Sequence, residues 1–565
     1  MRQSHMSSVR LQGVILFIVC AGMFWWRLGV VGLIDPDEPF YAQTTREMVQ
    51  AGDWFTARIF GEPQFEKPIM FYWQSMAAQK LFGDNAFAAR VPSAVFSTLL
   101  VFLTWVFGRR FLSPVAGFFS ALILATGVEY AFMARLMLTD ISLAFFVCAS
   151  VFCFWMATQD ENKRDRWMVL CFVASGFATL TKGPVGLLVP ALGSLLYIGL
   201  SGTQSPWRGP GLMAGIAAWL LITVPWYAFM FAKFGREYWN KFFVHENWER
   251  LVSSEHDHNN HFWYYPMILT VGSLPWIPLL AATVMRVFRE VKTDKRVLFV
   301  VCWVVPNLVF FTIVQSKLPT YTFFLFIAMA LLMGQTLAGW VQNGFRGRAE
   351  RLLVAILAVV QAAVVFGAAG WIGHLVPSDS NAFIKDLMPF VYAGSAMLAV
   401  PMVLMLAKRI QAWAGATACA SLGIFVLAFC FHANQIEEYA STRGIAGEAA
   451  RQRRPDEPVV TASFLARAVT YYMCAKPSGV VFLRSRDQRR RKITQPYFSP
   501  HPLNILLDEP GLAKFAAGYQ SILCITQARD LERLSAQGSP LYGKCDKISA
   551  IGDRVLFRVS IGNGS

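Results

Sequence analysis

Apolar runs of about 20 residues, separated by short polar connections, recur along this chain from residue 11 to residue 432. An α-helix rises about 1.5 Å per residue, so each run is long enough to cross a bilayer, and the pattern predicts about 13 spanning helices. From residue 433 the periodicity changes. Residues 459–464, 479–483, 521–525 and 555–559 read as short strands, and 512–517 and 530–536 as helices. The expected architecture is an all-α polytopic membrane bundle over residues 1–432 followed by a small α/β domain over residues 433–565.

The connections carry the topology. One set holds Arg109 and Arg110; Lys163, Arg164 and Arg166; Arg286, Arg289, Lys292, Lys295 and Arg296; Arg346, Arg348 and Arg351; and Lys408 and Arg409. The positive-inside rule puts that set in the cytoplasm. The alternating set, at residues 35–90, around Asp140, and at 181–184, 232–262, 316–321 and 376–388, then faces outside. The run at 11–34 follows Arg2 and Arg10, is too long for a signal-peptide core and lacks a small-x-small cleavage site, so it is expected to stay as a first helix. An odd number of spans places the tail on the same outer side as the long loops.

Composition narrows the class. Of 565 residues, 55% are hydrophobic and 15% charged, and mean hydropathy is +0.43, a balance that excludes an ordinary soluble protein. The net charge of +16 comes from residues that punctuate apolar segments. It fits membrane topology and anionic lipid, not nucleic acid. Seven of the ten cysteines lie in apolar runs; Cys474, Cys524 and Cys545 lie in the tail without metal spacing, and an external tail would suit one disulfide and one free thiol. Arg484, Arg486, Arg489, Arg490, Arg491 and Lys492 form a basic cluster, either a solvated loop or a patch for lipid head groups.

Candidate chemistry sits in the outer connections. The first loop opens Asp35-Pro36-Asp37-Glu38-Pro39-Phe40-Tyr41 and continues as an amphipathic stretch that Gly52 ends. Asp37 has two readings there, a catalytic acid or a helix cap. Asp140, where an outer connection enters an apolar run, sits at a depth where charge is expensive, and a cap on a helix beginning at Ile141 is its other reading. The first loop later reads Phe65-Glu66-Lys67-Pro68. The loop at 232–262 carries His245, Glu246 and Arg250, then His256, His258 and His261 before Phe262-Trp263-Tyr264-Tyr265, whose rings read as an interfacial aromatic belt. The histidines and Glu66 are zinc-type donors without a recognised metal spacing. Lys317 and Tyr321 fall in a tight outer turn; with Lys67 and Arg250, Lys317 suits phosphate, and snorkelling at the interface is the alternative.

In order, Asp37-Glu38, Phe65-Glu66-Lys67-Pro68, Leu138-Thr139-Asp140, Thr181-Lys182-Gly183, Phe262-Trp263-Tyr264-Tyr265, Gly272-Ser273-Leu274-Pro275-Trp276 and Lys317-Leu318-Pro319-Thr320-Tyr321 resemble one family. It is the aminoarabinose transferases of lipid A, polyprenyl-phosphate-dependent glycosyltransferases of the GT-C fold. The resemblance covers the bundle well and the tail loosely. It implies transfer of 4-amino-4-deoxy-L-arabinose from undecaprenyl phosphate to a lipid A phosphate at the periplasmic face of the bacterial inner membrane, with resistance to polymyxin and other cationic peptides.

By the same resemblance Asp37 orients or deprotonates the acceptor and Asp140 supports the site or the amino sugar. Lys67, Arg250 and Lys317 neutralise phosphates, and Tyr41, Glu66 and Tyr321 contact the head groups. No cofactor is required for the chemistry. Zinc held by Glu66 and His245 is the one metal expectation, although the family pattern has Glu-His after the paired Phe where this chain reads His245-Glu246-Asn247. The expected partners are the lipid-linked sugar, lipid A and membrane lipids. A related transferase with a protein acceptor and a lipid flippase are the rival readings; a flippase should carry charges near the bilayer midplane, whereas these lie at span ends.

Overall fold

The computed structural model describes residues 2–203, 206–207, 209–252, 261–375, 393–394, 396–398, 400–401, 403–405, 407–462, 464–473, 480–483, 505–506 and 509–560. Helices dominate up to Phe431. In chain order they begin with α1 (Arg2–Cys20), α2 (Asp37–Ala51), α3 (Met70–Phe82), α4 (Ala86–Phe111), α5 (Pro114–Thr126), α6 (Val128–Met133), α7 (Thr139–Gln159), α8 (Arg164–Lys182), α9 (Val185–Ser201) and α10 (Pro210–Tyr238). They continue with α11 (Tyr264–Gly272), α12 (Ile277–Glu290), α13 (Lys295–Ile313), α14 (Leu325–Asn343), α15 (Arg348–Leu375) and α16 (Ile410–Phe431). A short antiparallel ribbon, β1 (Arg58–Ile59) with β2 (Glu62–Pro63), lies in the first loop.

Local chemistry sets the ends of these helices. Gly52 takes the left-handed conformation that stops α2. Asn85 caps α4 by accepting from Ala88 N–H at 2.9 Å, and Ser113 caps α5 ahead of Pro114. Among the described residues six stretches, Ala86–Phe111, Thr139–Gln159, Pro210–Glu249, Lys295–Ile313, Leu325–Asn343 and Ile410–Phe431, are long and apolar enough to cross a membrane; Val9–Trp25, Pro114–Thr126 and Val185–Ser201 are apolar but shorter. The chain is a multi-pass membrane protein. Neighbouring helices approach closely where small residues allow it: a Cβ on Gly117 of α5 would fall 2.4 Å from Arg109 N of α4.

The first apolar run departs from expectation. Helix gives way to a π-turn at Ala21–Trp25, and residues 26–34 are not helical. The reason is Arg90, in the first turns of α4. Its guanidinium takes the carbonyls of Leu28 (3.1 Å), Val31 (2.8 Å) and Gly32 (2.8 Å), which offers this segment an alternative to helical bonding. The same guanidinium pairs with Glu38 of α2 at 2.9 and 2.5 Å, and Glu38 also accepts from the backbone N–H of Ile34 and of Met137, each at 2.7 Å. At 2% and 3% exposure, Glu38 and Arg90 are a buried ion pair with its hydrogen bonds filled.

Beyond α16, two helices, α17 (Ala433–Ala440) and α18 (Arg443–Gln452), lead to a six-stranded sheet. Its elements are β3 (Val459–Ala462), α19 (Ala466–Met473), β4 (Val480–Leu483), β5 (Ile505–Leu506), α20 (Glu509–Ala516), β6 (Ile522–Gln527), α21 (Ala528–Leu534), β7 (Cys545–Ile551) and β8 (Arg554–Val559), with strand order β5-β4-β3-β6-β8-β7. The β5-β4-β3-β6 half is parallel, and β8 and β7 add antiparallel. Four of these strands match the expected ones within a residue or two. β7 was not expected because this edge strand is polar and irregular, with a register shift between Lys547 and Ser549. Cys524 and Cys545 are both free thiols, so neither takes part in the one disulfide expected of the tail. Cys474 and the basic cluster from Arg484 to Lys492 lie outside the described residues.

Removing one partner of a buried ion pair strands the other charge, at a cost of about 3–5 kcal/mol. Arg90→Met should therefore lower the Tm of the purified protein in detergent, while Arg296→Met, which loses only the half-exposed pair with Asp294, should leave it nearly unchanged.

Candidate active site

Two adjacent acids at the start of α2 have different fates, because successive helical side chains point about 100° apart. Glu38 turns inward to Arg90. Asp37 is an exposed residue on which the charges of Arg467, Glu66, Lys67 and Glu38 act. Pro36 holds the cap position of α2 with no side-chain cap bond, so Asp37 is the helix's first residue and does not cap it. Although the residue is exposed, the protein packed around the carboxyl displaces enough water to push it above the usual carboxylate range; Arg467 and Lys67 pull it down, and Glu66 and Glu38 push it up further.

Glu66 and Lys67 are held from two sides. Gln64 accepts from Glu66 N–H at 3.0 Å and donates to the buried Tyr72 hydroxyl. Lys67 Nζ donates to the Glu66 carbonyl at 3.1 Å and pairs with Glu246 at 3.4 Å. Glu246 is buried and belongs to a π-helical segment, Trp239–Glu249, that follows a kink at Gly235. Tyr41 packs edge-on against Phe71 at 5.1 Å and lies 6.3 Å from Tyr72. Burial raises its phenol well above the ordinary value, and Glu66, Tyr72, Asp37 and Asp140 all add to the shift. Asp37 and Asp140 therefore both act on Tyr41, although about a hundred residues separate them.

Asp140 is the second residue of α7, and Leu138, at the cap position, makes no side-chain cap bond. The carboxylate instead pairs with Lys182 Nζ at 2.5 Å, and that ammonium lies 4.9 Å from the centre of the Tyr321 ring. Lys182 ends α8, where Gly183 turns at φ +85° and a Cβ would fall 3.0 Å from the Phe242 ring. Only glycine meets both conditions, so the turn docks the π-helical segment against the Lys182 end of α8. Lys317 is 4% exposed, so it does not snorkel to the surface, and burial lowers the pKa of its ammonium. Gln315 N–H donates to Leu251 O at 3.3 Å, which brings the backbone next to Arg250 against this turn. The Arg250 side chain lies outside the described residues.

Two expectations need correction or narrowing. Phe262 and Trp263 are exposed as belt residues should be, but Tyr264 and Tyr265 are buried; Tyr265 packs 6.5 Å from Phe311, which lies 5.9 Å from Tyr321. His245 Nδ1 lies 2.6 Å from Glu249. Among the described residues no three His, Cys, Asp or Glu side chains gather to hold a metal, so the donors described do not make up a zinc set; His256 and His258 lie outside those residues. Sequence reasoning missed Arg467 altogether, and it used Lys182 only as part of a motif. A lysine closing an apolar helix was a signal for Lys182.

A family model described as dolichyl-phosphate-mannose-protein mannosyltransferase matches residues 9–246. The undecaprenyl phosphate-alpha-4-amino-4-deoxy-L-arabinose arabinosyl transferase of Yersinia enterocolitica is 30% identical over 409 residues, 70% of this chain and 72% of that protein. Its counterpart in Pseudomonas aeruginosa strain LESB58 is 33% identical over 342 residues, 59% of this chain, and this chain spans 61% of that relative's length. The crystal structure of ArnT from Cupriavidus metallidurans bound to undecaprenyl phosphate shares the fold, with TM-score 0.78 and 23% identity over 99% of this chain and 98% of that one.

The Lys67–Glu246 contact is testable as a pair. Lys67→Met removes a cation from beside a buried carboxylate and should lower Tm, Glu246→Gln should lower it less, and the double variant should recover part of the loss. A thermal-stability cycle should give a coupling of about 0.5–3 kcal/mol; strictly additive losses would show that the two side chains do not interact.

Proposed function

The chain belongs to the undecaprenyl phosphate-alpha-4-amino-4-deoxy-L-arabinose arabinosyl transferase family, and from that premise we propose that it transfers 4-amino-4-deoxy-L-arabinose from undecaprenyl phosphate to a phosphate of lipid A. The observation that carries this reading is the pairing of two lysines with buried carboxylates, Lys67 with Glu246 at 3.4 Å and Lys182 with Asp140 at 2.5 Å; Asp37, Glu66 and Asp140 each add to the raised pKa of Tyr41. The proposal includes about 13 spanning helices in the GT-C arrangement, an α/β unit over residues 433–565, and a recess on the periplasmic face of the inner membrane. The alternation of basic and acidic connections along the sequence supports that placement.

In the reaction, an oxygen of the acceptor phosphate forms a bond to the sugar's anomeric carbon as the bond from that carbon to undecaprenyl phosphate breaks. The bonding electron pair leaves with the lipid phosphate. A phosphate monoester with a second pKa of about 6 is largely ionised already, so the acceptor needs positioning more than deprotonation. Asp37 orients it, Asp140 and Lys182 hold the amino sugar, and Lys67, Arg250 and Lys317 balance charge on the departing phosphate. Fixed charges of this kind are often the largest contribution to catalysis. Tyr41 and Tyr321 pack on the head groups. The proposal routes no step through a metal. Zinc at Glu66 and His245 would need ligands beyond that pair, and metal analysis of purified protein before and after chelation tests it.

An ionised Asp37 orients the acceptor by accepting a hydrogen bond from a phosphate hydroxyl that still carries its proton, so Asp37 itself must be ionised. Because its pKa is raised, activity should fall on acidification through a limb above the usual carboxylate value of about 3.9. Asp37→Asn should lower transfer by about 10²–10⁴-fold. The decisive experiment expresses the chain and its Asp37→Asn variant in a transferase-null strain and reads polymyxin survival and lipid A by mass spectrometry. Aminoarabinose-bearing lipid A from the wild type alone supports the function and the acid together. Modification by both acquits Asp37 of the role; transfer in vitro to a Ser/Thr peptide instead of lipid A would favour the protein-acceptor reading, the type of reaction named by the family model over residues 9–246.

A further inference from the structure

The proposed acceptor is an anion that must approach two carboxylates, Asp37 and Glu66, and so needs a cation of its own. Lys67 is engaged with Glu246 and Lys182 with Asp140. A third cation comes from the other end of the chain. Arg467, in the first turn of α19, places its guanidinium 4.5 Å from the centre of the Phe40 ring. Phe40 lies three residues after Asp37 on α2, so the two share a face of that helix, and among the charges that act on Asp37 the one from Arg467 is the largest. Arg467 also acts on Tyr72, the hydroxyl partner of Gln64 beside Glu66.

Its position is built into the fold. Tyr471 OH donates to Asp84 at 2.8 Å, Arg46 donates to the Tyr471 carbonyl at 2.6 Å and covers its ring at 3.7 Å, and Tyr472 OH accepts from Leu33 N–H at 2.5 Å. These contacts fix α19 against α2 and the turn before it. A planar guanidinium held by its face on an aromatic ring is suited to meet a phosphate with parallel N–H donors.

We propose that Arg467, delivered by the C-terminal sheet unit, binds the acceptor phosphate beside Asp37, so that this unit completes the acceptor side of the site while the donor phosphate is held from within the helical bundle. The inference rests on the proposed lipid A transfer.

The test uses full-length protein in nanodiscs with undecaprenyl-phosphate-linked aminoarabinose and lipid A. Arg467→Ala, and Arg467→Gln, which keeps a stem over Phe40, should each raise the KM for lipid A by about 10–100-fold, the value of one charge-assisted phosphate contact. The KM for the donor should stay near wild type. Losing a cation that lowers the Asp37 pKa should also move the acid limb of kcat/KM to higher pH, and Arg467→Lys should restore the limb and part of the KM. An unchanged acceptor KM, donor and acceptor KM rising together, or a fall in kcat alone with an unmoved limb would each overturn the inference. If the Ala variant does not fold, the Gln variant decides by the same criteria. Wild-type protein that fails to modify lipid A refutes the proposed function and removes the basis of this inference; wild-type transfer with unaltered variants refutes the inference alone.

Discussion

The Glu38–Arg90 pair is the constraint from which the outer half of the molecule is arranged. One guanidinium bridges α4 to α2 through Glu38 and holds three carbonyls of residues 28–32. The carboxylate, in turn, fixes the backbone at Ile34 and at Met137, just ahead of α7. A buried pair of this kind gains little over an apolar core in net stability; its value lies in allowing one geometry. Because Glu38 is locked, Asp37 has one direction in which to point, and because Met137 is locked, Asp140 begins its helix at a set place. Both candidate acids take their positions from a pair that faces away from them.

The recess is a set of carboxylates and cations already matched before any substrate arrives. The Asp140–Lys182 contact is short at 2.5 Å and the Lys67–Glu246 contact loose at 3.4 Å, so the two lysines differ in how readily a phosphate competes for them. An array fixed in advance stabilises charge in the transition state without reorganising.

Much of this was legible in the sequence where local chemistry acts alone. Gly52 stops α2, acids mark the starts of α2 and α7, and apolar tetrads in the tail become β3 and β4. What was not legible depends on long-range pairing. Asp37 and Glu38 look equivalent until Arg90 claims one of them. Asp140 kept a cap as its second reading because Lys182 lies on a different helix, and Tyr265 read as interfacial because only packing against Phe311 reveals its burial. The early end of the first helix was hidden because its cause, Arg90, lies in another helix. Arg467 had no local signal at all, being one arginine in a tail rich in them.

The tail is tied to α2 at a second place. Arg554 of β8 donates to Asp35 at 2.8 Å and to the carbonyls of Glu438 and Tyr439, Thr442 donates to Asp35 at 2.5 Å, and burial outweighs these partners to push the Asp35 carboxyl up to about 6. This has a consequence for the order of events during synthesis. Asp35 is made well before Arg554, and every apolar helix after the first lies between them. While the ribosome is still adding the bundle, Asp35 waits without Arg554, and the segment that carries Asp37 gains this tie only when β8 has been translated and folded. The protein's birth is thereby ordered: insertion of the helices comes first, and maturation of the site comes after translation of the tail.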